Sequence, residues 1–342
     1  MSSDPAQEVA ELFVVSCSQS VESSKARIKM SLKSFVDAND NPSSSANYAS
    51  TDEDPVHIFL DMLQHSAAQR DPMWLVLLLR ALKILSRKQP NRLRFGPAGL
   101  RAVITVLANP LNNKVAAEGA NVLLNVCYEV ANVHALLETP GVQQLLLFLT
   151  EEDEEVQANA AGAIQSICFQ EAGRRHVLDK GGIGSLVMLL ASPNVKVVTR
   201  AVGAIHNLSS NADAIREIRK NDGVPTLVSL LHSDHLTVSG SAAGALQNVS
   251  REIASRLIIR ELDAVPALAR LLSAPDVQAQ VCASGALLNI VGPDLDQQQQ
   301  GQQGQGQTGG TQRRGLGRLM SLCMAASAIY DSLFEQPPPP LV

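Results

Sequence analysis

One asparagine recurs with a fixed stride. Asn207 lies in GAIHNLS (203–209), Asn248 in GALQNVS (244–250) and Asn289 in GALLNIV (285–291), at a constant stride of 41 (248 − 207 = 289 − 248 = 41). Stepping back by 41 reaches Ser166 in GAIQSIC, then Asn125 in NVLLNVC, then Ile84 in RALKIL. The flanks keep phase. One residue after the marker stand Leu85, Val126, Ile167, Leu208, Val249 and Ile290; two before it stand Leu82, Leu123, Ile164, Ile205, Leu246 and Leu287. A period of this length means a stack of like units, each unable to bury its apolar face alone.

A second marker precedes the first in every unit: GVQQLLLFL (141–149), GIGSLVMLL (182–190), GVPTLVSLL (223–231) and AVPALARLL (264–272), with a degenerate copy, GLRAVITVL (99–107). Each unit reads as three helices. A short one, such as 214–220, runs up to the glycine, which suits a helix C-terminus. Pro225 and Pro266 suit the first turn of the second helix. A polar turn, with start signals at Ser192-Pro193 and Ala274-Pro275, leads into the third. Small residues in the third helix (Ala201, Gly203, Ala204; Ala242, Gly244, Ala245) let neighbours approach closely. Composition agrees: apolar residues make up 45% and aromatics only 3%, so the core is aliphatic, as in stacked helices rather than a sheet sandwich.

The period, the three-helix unit, the G-[IV]-P-x-L-V-x-L-L second helix and the G-A-L-x-N-L-S third helix resemble the armadillo repeat family. The resemblance implies an all-α fold, a right-handed armadillo-type α-solenoid of about six repeats with extra terminal helices. It covers 55–292, and the first repeat is atypical, with Leu78, Leu79 and Ile84 at positions that later hold small residues and the marker. Outside it, 1–37 reads as an N-terminal helical segment and 38–54 as a flexible linker. Residues 293–313 read as a Gln/Gly-rich disordered linker, in which Gly304, Gly306 and Gly309 match a nucleotide-binding spacing by accident, since no strand precedes them. Residues 314–336 read as a helix that either caps the last repeat or docks on a partner, and 337–342 as a polyproline tail.

Several activities are disfavoured. A formal charge of −5 with few aromatics offers neither a phosphate-binding surface nor a base-stacking platform, so no nucleic acid is expected. No apolar run spans a membrane, and the acidic residues Asp4, Glu8 and Glu11 do not suit a signal peptide. Five scattered cysteines fit a reducing compartment, and a cytoplasmic chain is expected. There is no Walker loop, GxSxG or HExxH, so the chain is expected to be no enzyme and to need no cofactor or metal. His232 and His235 read as a solvated turn rather than half a zinc site, and Cys127 and Cys168 as core fillers rather than a redox pair. The acidic run 151–155 reads as a solvated edge, and the Asn-x-Ser matches at Asn207 and Asn248, which lie inside expected helices of a chain expected to carry no secretory signal, are discounted as glycosylation sites.

In an armadillo solenoid the third helices line the concave groove, and the resemblance assigns partner binding there to Asn125, Asn207, Asn248 and Asn289. An amide both donates and accepts, so it can pair with the backbone of an extended peptide. Repeats stacked roughly 10 Å apart would meet a strand rising about 3.3 Å per residue at about every third residue. A second reading leaves each asparagine bonded to a neighbouring turn, holding the fold. Gln165, His206 and Gln247 stand beside the markers as further polar contacts. Seven before the markers stand Glu118, Asn159, Arg200, Ser241 and Cys282, which mix signs and show no charge preference. Four before them stand Asn121 and Gly162, Gly203, Gly244 and Gly285, where importin-α-type receptors carry tryptophan, so that role is disfavoured. The expected function is a scaffold or adaptor that binds an extended protein segment. The rival is a structural subunit of a cytoskeletal or axonemal (ciliary) assembly, using its convex face and terminal helices.

Overall fold

A computed structural model of the chain describes residues 21–41 and 55–291. The segments 1–20, 42–54 and 292–342 lie outside it, and with them most of the expectations for the two termini. Every regular element among the described residues is an α-helix. The chain forms two compact units, divided after Gly182.

The first unit holds α1 (Val21–Asn39), α2 (Pro55–Gln64), α3 (Ser66–Gln69), α4 (Pro72–Leu85), α5 (Gln89–Leu93), α6 (Gly96–Ala108), α7 (Asn113–Val126), α8 (Val130–Leu137), α9 (Gly141–Phe148), α10 (Glu154–Ile167) and α11 (Glu171–Asp179). The marker-bearing helices stack in one layer, α4 on α7 on α10, and α1 packs against α4 ahead of them. Ile28, Leu32, Phe35 and Val36 of α1 are buried, and Phe35 meets Phe59 of α2 edge to face, 6.4 Å between centroids. Leu78, Leu79 and Ile84 of α4 are fully buried, which is why large apolar residues fit that atypical repeat.

The second unit continues with α12 (Gly182–Leu189, whose first residue closes the first unit), α13 (Val195–Leu208), α14 (Ala212–Lys220), α15 (Gly223–Leu230), α16 (Leu236–Val249), α17 (Ile253–Glu261), α18 (Val265–Leu271) and α19 (Val277–Val291). Here the marker helices stack α13 on α16 on α19. In both units the phase-locked apolar positions, from Leu82 to Leu287 and from Leu85 to Ile290, are at most 1% exposed.

The helix ends are periodic too. The N-caps of the marker helices keep the same stride, at Asp71, Asn112, Asp153, Asn194 and Asp276, each accepting from backbone N–H groups of the first turn. His235 holds the same place in α16 without a capping bond. The acidic run is therefore a helix start: Asp153 caps α10, and Glu154 and Glu155 face the positive end of its dipole. The Ser-Pro and Ala-Pro signals precede the true caps, Asn194 and Asp276, by a residue. At the other ends, arginines two strides apart cover freed carbonyls: Arg92 donates to Ser86 O and Arg87 O, Arg174 to Cys168 O and Phe169 O, and Arg256 to Ser250 O.

One expectation is corrected. The marker glycines do not end the first helix; Gly141, Gly182 and Gly223 open the second. The residue that terminates the first helix stands one place earlier, at Gly181, Asp222 and Asp263, each with the positive φ of the left-handed region. After Asp222 the next place needs glycine for space, whereas after Asp263 it is held by Ala264. A Cβ on Gly223 would lie 2.8 Å from Ile218 Cγ2 and 2.9 Å from Ile218 O.

Candidate functional site

The marker asparagines sit half-buried on the marker helices of their units, Asn125 in the first and Asn207, Asn248 and Asn289 in the second, and three have their amide nitrogens fixed. Asn125 Nδ2 donates to Lys83 O (3.2 Å) and Ser86 Oγ (3.0 Å). Asn289 Nδ2 donates to Gln247 O (2.9 Å) and Ser250 Oγ (3.1 Å). Asn248 Nδ2 donates to Ser209 Oγ (3.1 Å). The acceptor is a turn one unit earlier in the sequence. Its serine stands two residues after the marker position, and its hydroxyl proton is already given to the carbonyl three residues back: Ser86 to Lys83 O, Ser209 to His206 O, Ser250 to Gln247 O. The serine thus presents only lone pairs, so the asparagine must turn its N–H groups toward it.

This changes what the amides can offer. Both Nδ2 protons of Asn125 and of Asn289 are committed inside the fold, so these residues do not donate to a partner as the sequence reading supposed. Their Oδ1 atoms, and that of Asn248, receive no hydrogen bond among the described residues. Each is an acceptor held in place by its own nitrogen. Ser166, at the same phase, is buried and breaks the series. By the repeat phase its counterpart turn residue is Cys127, a thiol where a serine would stand.

The residues beside the markers pack more than they display. The His206 ring lies over Gly244, where a Cβ would come within 2.4 Å of it, and Gln247 lies over Gly285 in the same way at 2.2 Å. Gly244 and Gly285, which stand where a tryptophan would, are therefore seats for the side chain of the preceding repeat. Burial pushes the His206 imidazole down to about 4, so it is neutral near pH 7.

The mixed charges seven residues before the markers sort themselves out. Glu118 is ion-paired to Arg80 (3.3 Å) and Lys83 (3.1 Å), with Asp40 closing the group against both cations. Asn159 is buried, donating to Ala117 O and accepting from Asn121. Cys282 is buried and accepts from Gln278. Arg200 is half-buried and makes no hydrogen bond or ion pair with any described residue.

The armadillo/β-catenin-like repeat model matches three consecutive stretches, 130–169, 170–210 and 211–251. Their junctions fall on the same phase as the asparagine stride. The chain carries armadillo repeats. Solved structures agree on the fold. An engineered protein is 28% identical, over 70% of this chain and 97% of that one, with a TM-score of 0.64. A second engineered protein is 26% identical, over 84% and 68%, with a TM-score of 0.67. A designed armadillo repeat protein in complex with the peptide (KR)4 is 24% identical, over 68% and 98%, with a TM-score of 0.60. No curated protein matches the sequence significantly.

Away from the armadillo layer of marker helices, the remaining candidates have local explanations. Cys127 and Cys168 are fully buried, and burial pushes the Cys127 thiol up to about 12 and that of Cys168 higher still. His232 Nδ1 faces the Arg270 guanidinium at 3.0 Å. Among the described residues no three His, Cys, Asp or Glu gather as a metal site would need, and no helix is long and apolar enough to cross a membrane. Two periodic features escaped the sequence reading. The N-caps and the turn serines both keep the phase of the asparagines, and aligning the units on Asn207 would have exposed them.

Proposed function

We propose that the chain is a non-catalytic scaffold or adaptor that binds an extended segment of a partner protein along its marker helices. The observation that carries this is the set of half-buried asparagine carbonyls. Oδ1 of Asn125, Asn248 and Asn289 is not among the buried unpartnered atoms, so it is open to solvent and to a ligand, and it is aimed by the same bonds that use up the nitrogen. A backbone N–H of an extended chain satisfies such an acceptor without regard to side chain, giving general affinity at one contact per repeat. Asn207, His206 and Gln247 belong to the marker helices of the second unit, and Gln165 to those of the first. A designed armadillo repeat protein of like fold is in complex with a peptide, which supports the reading.

The test is selection of displayed linear peptides on the full chain, followed by binding of a selected peptide to wild type, to Asn248→Ala/Asn289→Ala, and to Ser250→Ala. Losing two acceptors should weaken binding about tenfold. Ser250→Ala, which loosens the same bond network but keeps Oδ1, should weaken it less at equal loss of thermal stability. Equal weakening by both variants would make the asparagines purely structural. Failure to enrich any peptide would remove the groove and leave the embedded-subunit alternative.

A further inference from the structure

We infer that the marker-helix face of the second unit selects an acidic extended segment, one carboxylate of which pairs with the Arg200 guanidinium. This deepens the groove reading and rests on it.

The charges of the two layers differ. α13, α16 and α19 together contain no Asp or Glu; their charged residues are Lys196 and Arg200, one turn apart on α13. In the first unit the same phase is occupied by Glu118, two strides earlier (200 − 118 = 82), and that charge is spent on Arg80 and Lys83. At this phase the first unit thus neutralises its charge within the layer, and the second does not. Arg200 is half-buried without a hydrogen-bond or ion-pair partner among the described residues. Across the layer on α16 the positions in register, Thr237, Ser241 and Gly244, carry no charge and offer no carboxylate.

A guanidinium carries five N–H donors in a planar fork shaped for a carboxylate, and those of Arg200 are open to solvent and so to a ligand. Arg200 and Asn207 share a face two turns apart, about 10 Å along the helix. An acidic side chain leaving a peptide backbone seated on the asparagines can meet the arginine reaching from that distance. A basic peptide of the (KR)4 kind meets no carboxylate on these helices and is repelled by Lys196 and Arg200, which gives selectivity through exclusion as well as attraction.

The test repeats the peptide selection on the full chain in three forms: wild type, Arg200→Glu and Arg200→Gln, each checked for cooperative thermal unfolding. The wild-type pool should carry Asp or Glu at one fixed position, and the Arg200→Glu pool should carry Lys or Arg there. Arg200→Gln should bind an acidic wild-type peptide about tenfold more weakly and its Gln-substituted analogue unchanged. If the charge-reversed chain does not fold, the Arg200→Gln comparison decides alone. A wild-type pool that depends on Asn248 but has no acidic position overturns the inference and spares the groove, as does an acid preference that survives Arg200→Gln. A wild-type chain that enriches nothing overturns both.

Discussion

Replacing Gly173 by alanine should destabilise the protein, although alanine is the better helix former. Gly173 lies in the first turn of α11, and a Cβ built on it would stand 2.1 Å from Ile167 O and 2.7 Å from Ile167 Cγ2. The obstacle is backbone at the end of α10, so no rotamer change relieves it. The same phase holds Asn91, Asn132, Ala214 and Ser255 in the other repeats. The position as such therefore tolerates a side chain, and α11 has settled closer to its neighbour than its siblings have. Alanine would push α11 away by about 1 Å, an overpacking cost of about 1–3 kcal/mol. The gain in helix propensity offsets up to about 1 kcal/mol. A net loss of about 1–2 kcal/mol lowers the midpoint of thermal unfolding by roughly 2–8 °C for a domain of this size. The control is Gly285→Ala, where the obstacle is the Gln247 side chain, nearest at Nε2 (2.2 Å). That side chain can swing aside, so the midpoint should hold or rise. Circular dichroism melts of the two variants beside wild type read both signs. A Gly173→Ala chain at least as stable as wild type would refute the close-approach argument.

Ser250→Ala removes one acceptor from Asn289 and should cost about 1 kcal/mol, read by urea unfolding. Asp71 caps α4 and takes Lys25 and Lys29 at 3.2 and 2.9 Å. Burial works against its charge, but the bonds from Lys29, the Trp74 N–H and Lys25 win and hold its carboxyl at about 2. Its stabilisation is complete above pH 4 and lost as pH falls from about 4 to 2. The deficit of Asp71→Asn should therefore be present at pH 7 and vanish near pH 2 in melts across that range. For His206, with a folded-state value near 4 against 6.5 when free, the unfolded chain takes up the proton first. Stability should fall as pH drops from 6.5 to 4, and His206→Gln, which copies Gln165 and Gln247, should flatten that slope.

The armadillo fold was legible because its evidence is one-dimensional. A constant stride and apolar positions in constant phase survive in the sequence whatever the helices do in space. The glycine boundary was misjudged because two different needs, a left-handed backbone and room for a neighbour, both favour glycine. They occupy adjacent positions, and only one of them reads as a stop signal. Asp222 and Asp263 in the left-handed place gave no glycine to follow.

The site was legible only as a set of names. The sequence placed Asn125, Asn207, Asn248 and Asn289 on one face, because phase fixes which residues share a face. Which atoms remain open was decided by partners a whole repeat away: a serine hydroxyl already committed to its own helix end, and a carbonyl freed at the same end. The charges behaved likewise. Glu118 and Arg200 are equivalent by phase, yet one is neutralised by Arg80 and Lys83 and the other stands without a described partner. Sequence periodicity determines where a side chain starts. Its hydrogen bonds and ion pairs depend on the last few ångströms between stacked helices, and those exist only once the stack has formed.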